Sequence, residues 1–76
     1  MSVFDEIKAI ILEVKDLPAE SIRPETLIRE EIGADSLDIM MMLTAIEEKY
    51  SILISDETAQ NLKTIRDAVD YITQNK

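Results

Sequence analysis

Apolar side chains recur at three- to four-residue intervals in three separate segments of this chain, and only one short run has strand character. That run, Ser51-Ile52-Leu53-Ile54, has no second strand to pair with, so it reads as an extended connector tucked into the core. What remains is an all-α pattern. Val3, Phe4, Ile7, Ile10, Ile11 and Val14 form one stripe, with Asp5, Glu6, Lys8 and Glu13 around it, which predicts a helix from Val3 to about Val14. Ser2 is its expected N-cap, and Asp5 and Glu6 suit the positive end of the helix dipole. Pro18 stops it, because the residue before a proline is pushed out of the α region.

Leu17 to Asp35 keeps no period and contains Pro18, Pro24 and the only glycine, Gly33. It is expected to be a long ordered loop pinned by Ile22, Leu27, Ile28 and Ile32, with room for a helical turn that places Pro24 at its first position. A loop this long in so small a domain needs a job. A second helix is expected from Ser36 or Leu37 to Tyr50, and a short third one, capped by Ser55, from Asp56 to about Asn61. Thr64 caps a last helix carrying the stripe Ile65, Ala68, Val69 and Ile72, with Asp67 at its third position. The expected architecture is a small four-helix bundle, three main helices plus one short one, forming a single domain over residues 1–76. Its core candidates are Phe4, Ile7, Ile11, Leu43, Ile46, Ile54, Leu62, Ala68, Val69 and Ile72.

Composition limits the chemistry. The chain of 76 residues has neither cysteine nor histidine, which removes disulfides, thiolate zinc sites and Cys–His or Ser–His nucleophilic pairs. No catalytic residue and no metal site is expected, and the paired acids do not have the spacing of a calcium loop. Sixteen acidic residues against eight basic ones leave a formal net charge of −8. That charge opposes nucleic acid and anionic membranes and speeds encounter with basic protein surfaces. No secretory signal is visible in Met1-Ser2-Val3-Phe4-Asp5-Glu6, and no segment reaches transmembrane length, so a cytoplasmic monomer without membrane insertion is expected.

The second helix has two apolar sides. Ile39, Met42, Leu43, Ile46 and Tyr50 cluster on one, and Leu37, Met40, Met41 and Thr44 on the other. An outer helix of a small bundle needs one buried face, so the second set reads as a docking surface, flanked by Asp38, Glu47 and Glu48 for a basic partner. Methionine adapts to several partners.

Gly33-Ala34-Asp35-Ser36-Leu37-Asp38 leads into that helix. A helix start offers unpaired N–H groups and a favourable dipole to a phosphate. Serine there is also a preferred N-cap, and most Asp-Ser pairs before helices are nothing more. The tripeptide Asp35-Ser36-Leu37, at mid-chain of a short acidic helical domain and with Asp70-Tyr71-Ile72 near the C-terminus, resembles the acyl carrier protein family. The resemblance implies a 4'-phosphopantetheine arm on Ser36, with Asp35 and Leu37 beside it. It also implies acyl cargo held as thioesters for fatty acid, lipid or polyketide biosynthesis, and an interior that opens to receive an acyl tail. The implied partners are a phosphopantetheinyl transferase and acyl ligases, synthases or acyltransferases that read the helix after the serine.

Family members of bacterial fatty acid synthesis commonly have acids where this chain has Met41 and Lys49, and a proline where it has Ser55. These departures suggest a specialised carrier. An aminoacyl carrier, for example of D-alanine, or a polyketide carrier is the neighbouring reading, though peptide carriers are less acidic and usually lack an acid where Asp35 stands. An unmodified acidic adaptor docking through Leu37, Met40 and Met41 is the reading from a different class. A hydrolase using Ser36 fails for want of a base.

Overall fold

The computed structural model describes residues 2–75; Met1 and Lys76, the ends of the expected domain, lie outside them. Among the described residues the helices are α1 (Val3–Val14), α2 (Ser36–Tyr50), α3 (Asp56–Asn61) and α4 (Ile65–Asn75). This is the expected all-α bundle with a short third helix. Each start is set by a side chain that takes an otherwise unpaired amide. Ser2 Oγ accepts the Asp5 N–H at 3.1 Å, and Ser55 Oγ accepts the Thr58 N–H at 3.1 Å. Thr64 Oγ1 accepts the Asp67 N–H, while Asp67 Oδ2 accepts the N–H groups of Thr64 and Lys63, all at 3.1 Å. These bonds, the Thr64 amide foremost, hold the Asp67 carboxyl below its ordinary range.

The core forms where α1 packs against both α2 and α4. Val3, Ile7, Ile10 and Ile11 of α1 meet Met42 and Ile46 of α2 and Ile65, Ala68 and Ile72 of α4. Ile65 and Ile72 are the most completely enclosed side chains, each stabilising the fold by about 1.5–3 kcal/mol through burial. Phe4, Leu43, Leu62 and Val69, expected in the core, are half-buried at its margin. Two ion pairs tie the antiparallel α1 and α2 at both ends: Lys15 Nζ to Asp38 Oδ2 at 3.1 Å, and Lys49 Nζ to Glu6 Oε2 at 3.3 Å.

The long loop is ordered by backbone pairing as well as by apolar pins. The first amides of α4 have no carbonyl within their own helix, and the loop supplies them. Ile65 N–H donates to Thr26 C=O at 3.1 Å and Arg66 N–H to Pro24 C=O at 2.7 Å. Ile28 N–H donates to Lys63 C=O at 2.9 Å, and Leu27 and Thr64 form an isolated antiparallel bridge. Thr26 is buried, its Oγ1 accepting from Arg23 N–H and donating to Ser21 C=O. Pro24 begins only a single turn, closed by Thr26 N–H donating to Arg23 C=O at 3.0 Å, and no helix continues it because the Pro24 and Thr26 carbonyls are committed to α4. A 3-10 turn follows Pro18, at Ala19–Ser21.

The connector after α2 also differs from expectation. Ser51 ends the helix in the left-handed region at φ 56°, and the extended segment beyond it alternates sides. Ile54 is buried and Ile52 half-buried, but Leu53 between them is 87% exposed. The exposed leucine is nonetheless held. Tyr71 Oη donates to Leu53 C=O at 3.4 Å, and Ile54 N–H donates to Glu47 Oε2 at 2.8 Å.

Candidate functional site at the start of α2

The loop reaches α2 through Gly33, whose φ of 77° is open to glycine at little cost. Buried Ile32 and Ala34 then fix the chain on either side of it. Asp35 is the N-cap: its Oδ1 accepts the Asp38 N–H at 2.9 Å, and Asp38 Oδ2 accepts the Asp35 N–H at 3.3 Å. This reciprocal capping box leaves Ser36 as the first helical residue, with no capping duty. Its side chain is exposed, and its hydroxyl enters no hydrogen bond among the described residues. The amides of Ser36 and Leu37 likewise find no acceptor among them. An exposed alcohol beside two unpaired donors at a helix N-terminus is well placed to hold a phosphoester.

Asp38 does more than close the box. The Lys15 ammonium beside it, followed by the Asp35 amide, holds its carboxyl below the ordinary range. Lys15 itself is the residue after α1, fixed by its N–H to Ile11 C=O at 2.8 Å.

Beside Ser36 a groove of about 360 Å³ runs between α2 and α3, lined by Arg29, Met40, Thr44, Glu47 and Gln60 among others. Ile39, Leu43 and Ala59 form its inner wall and also line an apolar void of about 40 Å³ that reaches Ile7, Ile11 and Ile46. Void and groove are thus neighbours that share Arg29, Ile39, Leu43 and Ala59 in their walls.

The outward side of α2 is as the angular count predicts. Leu37 and Met40 are each 62% exposed and Met41 45%, Thr44 and Glu48 are exposed, and Met42 is buried. Two of the expected flanking acids also have internal partners. Asp38 pairs with Lys15, and Glu47 accepts the Ile54 amide, so Glu48 is the acid of the three without such a role. These partners stand 23 and 7 positions away in the sequence. Lys15 and Arg29 were not legible as site residues. The one available hint was that Lys15 ends a helix, where a cation is favourable.

The departures at Lys49 and Ser55 have physical roles. Lys49 anchors the end of α2 to Glu6 near the start of α1. The neighbouring Tyr50 hydroxyl is buried without an acceptor in hydrogen-bond geometry among the described residues, yet Glu6 lies close enough to influence it. Burial first, and Glu6 second, push the phenol up to about 12, while Tyr50 and then Lys49 draw the Glu6 carboxyl down. Ser55 caps α3 and donates from Oγ to Thr58 Oγ1 at 3.0 Å; a proline could do neither.

Residues 5–72 match the family model described as "Phosphopantetheine attachment site". The chain is 42% identical to an acyl carrier protein of Helicobacter hepaticus and 41% identical to one of Wolinella succinogenes, in each case over all of both chains. It is 42% identical to one of Campylobacter jejuni over 95% of this chain and 94% of that one. Among solved structures, the acyl carrier protein of Enterococcus faecalis superposes with a TM-score of 0.83 at 30% identity, covering all of both chains.

Proposed function

Since this chain belongs to the acyl carrier protein family, carriers rather than enzymes that bear covalent 4'-phosphopantetheine, we propose that Ser36 is the residue to which the group is attached. The observation that carries this reading is the exposed, unbonded Ser36 hydroxyl at the first position of α2, freed from capping by Asp35. The residues fit the group. The unpaired amides of Ser36 and Leu37 and the Arg29 guanidinium on the adjoining groove would offset the charge of a phosphodiester beside Asp35. The group supplies a thiol, which a chain without cysteine lacks. The protein contributes the attachment point, the groove along which the arm can lie, and the surface that partners recognise. The test is to incubate the protein with coenzyme A, magnesium and a broad-specificity phosphopantetheinyl transferase, then weigh it. A mass gain of one phosphopantetheine, abolished by Ser36→Ala, is expected. No gain with several transferases would refute the reading and favour an unmodified acidic adaptor.

Leu37, Met40, Met41 and Thr44, flanked by Asp38, Glu47 and the exposed Glu48, are the proposed docking surface for synthases, ligases or acyltransferases with basic faces. Met41 puts an apolar side chain where relatives of fatty acid synthesis commonly offer charge, so the partners of this carrier are specialised. General fatty acid synthase enzymes should then process wild type slowly and Met41→Glu faster. Full wild-type rates, unchanged by the substitution, would remove the idea. The carrier works as a cytoplasmic monomer; no helix among the described residues is long and apolar enough to cross a membrane.

A further inference from the structure

We propose that Lys15 masks Asp38 from basic partners, so that it sets how tightly a partner docks at Ser36; the inference rests on the reading of Ser36 as the attachment site. Two acids flank that serine, and they are not equivalent. The Asp35 side chain is exposed and enters no ion pair among the described residues. The Asp38 side chain is only 16% exposed, and its Oδ2 already accepts from both Lys15 Nζ at 3.1 Å and the Asp35 amide at 3.3 Å. The Lys15 backbone is fixed in turn by its amide bond to Ile11 C=O, so its ammonium is delivered by the end of α1 rather than by a free tail.

An incoming arginine or lysine can pair with Asp35 directly, but it must displace Lys15 to pair with Asp38. The side chain of Lys15 is 29% exposed, so the displacement is possible and its cost is that of a surface ion pair. Lys15 thus lowers the attraction of the site for any basic face while leaving the apolar contacts of Leu37 and Met40 unchanged. Such a device separates partners that rely on charge from partners that rely on the exposed methionines.

The test is steady-state modification of the full chain by a phosphopantetheinyl transferase with a basic docking face. Wild type is compared with Lys15→Met, which keeps an unbranched apolar stem, and with Lys8→Met, which removes the same charge two turns away on α1. Lys15→Met should lower KM about threefold to fivefold with kcat unchanged, the size expected for release of one surface pair. Lys8→Met should change KM much less, and Lys15→Arg should behave as wild type. Adding Asp38→Asn to Lys15→Met should remove the gain, and high salt should shrink it. A KM for Lys15→Met equal to that of Lys8→Met overturns the inference, as does a lower kcat with a higher KM, which would mean that Lys15 only holds the cap in place. Absence of any modification of wild type overturns the Ser36 reading and the inference together.

Discussion

Loading the carrier with acyl groups of increasing length tests whether the tail enters the wall between α2 and α3. The void there measures about 40 Å³ and is lined mainly by aliphatic side chains, Ile7, Ile11, Ile39, Leu43, Ile46 and Ala59 among them, with Met42 and Arg29 completing the wall. A water molecule's share of liquid is about 30 Å³, so the resting void holds little more than one methylene before its walls must move. Each methylene taken out of water contributes about 0.8 kcal/mol, which bounds the gain from butyryl to octanoyl at roughly 3 kcal/mol. Displacing Ile39 and Leu43 from their packed positions costs about 1–3 kcal/mol against that gain. A net of about 1 kcal/mol corresponds to a Tm rise of about 4–8 °C in a domain of this size. The assay is a set of circular-dichroism melts on protein loaded with butyryl, hexanoyl and octanoyl phosphopantetheine. Tm should climb with length, because a group buried only in the folded state stabilises it. Ala59→Leu fills the shared wall and should flatten the length dependence, whatever it does to the baseline. A Tm that is constant or falls with length in the wild type would show that the tail stays outside.

Three further outcomes follow from the fold. Thr26→Val keeps the shape but strands the Arg23 amide and the Ser21 carbonyl, so it should cost about 1–3 kcal/mol in chemical denaturation. Ser51→Gly relieves a left-handed backbone at φ 56° and should raise stability by about 1 kcal/mol in the same assay. Asp67 has a depressed carboxyl, so its stabilising effect is complete above its unfolded value of 3.8 and is lost as pH falls through the lower folded value. The Tm gap between wild type and Asp67→Asn should therefore be full at neutral pH and close progressively below about pH 4.

By itself the sequence was enough to place the helices, because α1 and α4 carry one-sided apolar stripes, α2 carries apolar residues at helical spacing on two sides, and each start bears a side chain that can take an orphan amide. Ser2, Ser55 and Thr64 cap where expected, and Met40, Met41 and Met42 divide between solvent and core as their angular spacing requires. It singled out Ser36 only through the resemblance of Asp35-Ser36-Leu37 to the acyl carrier protein family, since a serine before a helix is otherwise most often a plain N-cap. Local pattern could not say which residue of that pair caps α2. The capping box settled it for Asp35 and so freed the Ser36 hydroxyl. Only the tertiary structure decided the partners of the charged groups. Lys15 meets Asp38 and Lys49 meets Glu6 because α1 and α2 lie antiparallel. The loop's order was expected from its apolar pins, but its backbone pairing was hidden for the same reason: its carbonyls at Pro24 and Thr26 pair with amides at Arg66 and Ile65. Periodicity reports what one helix or strand does with its own neighbours; hydrogen bonds and ion pairs between distant segments exist only once the chain has packed.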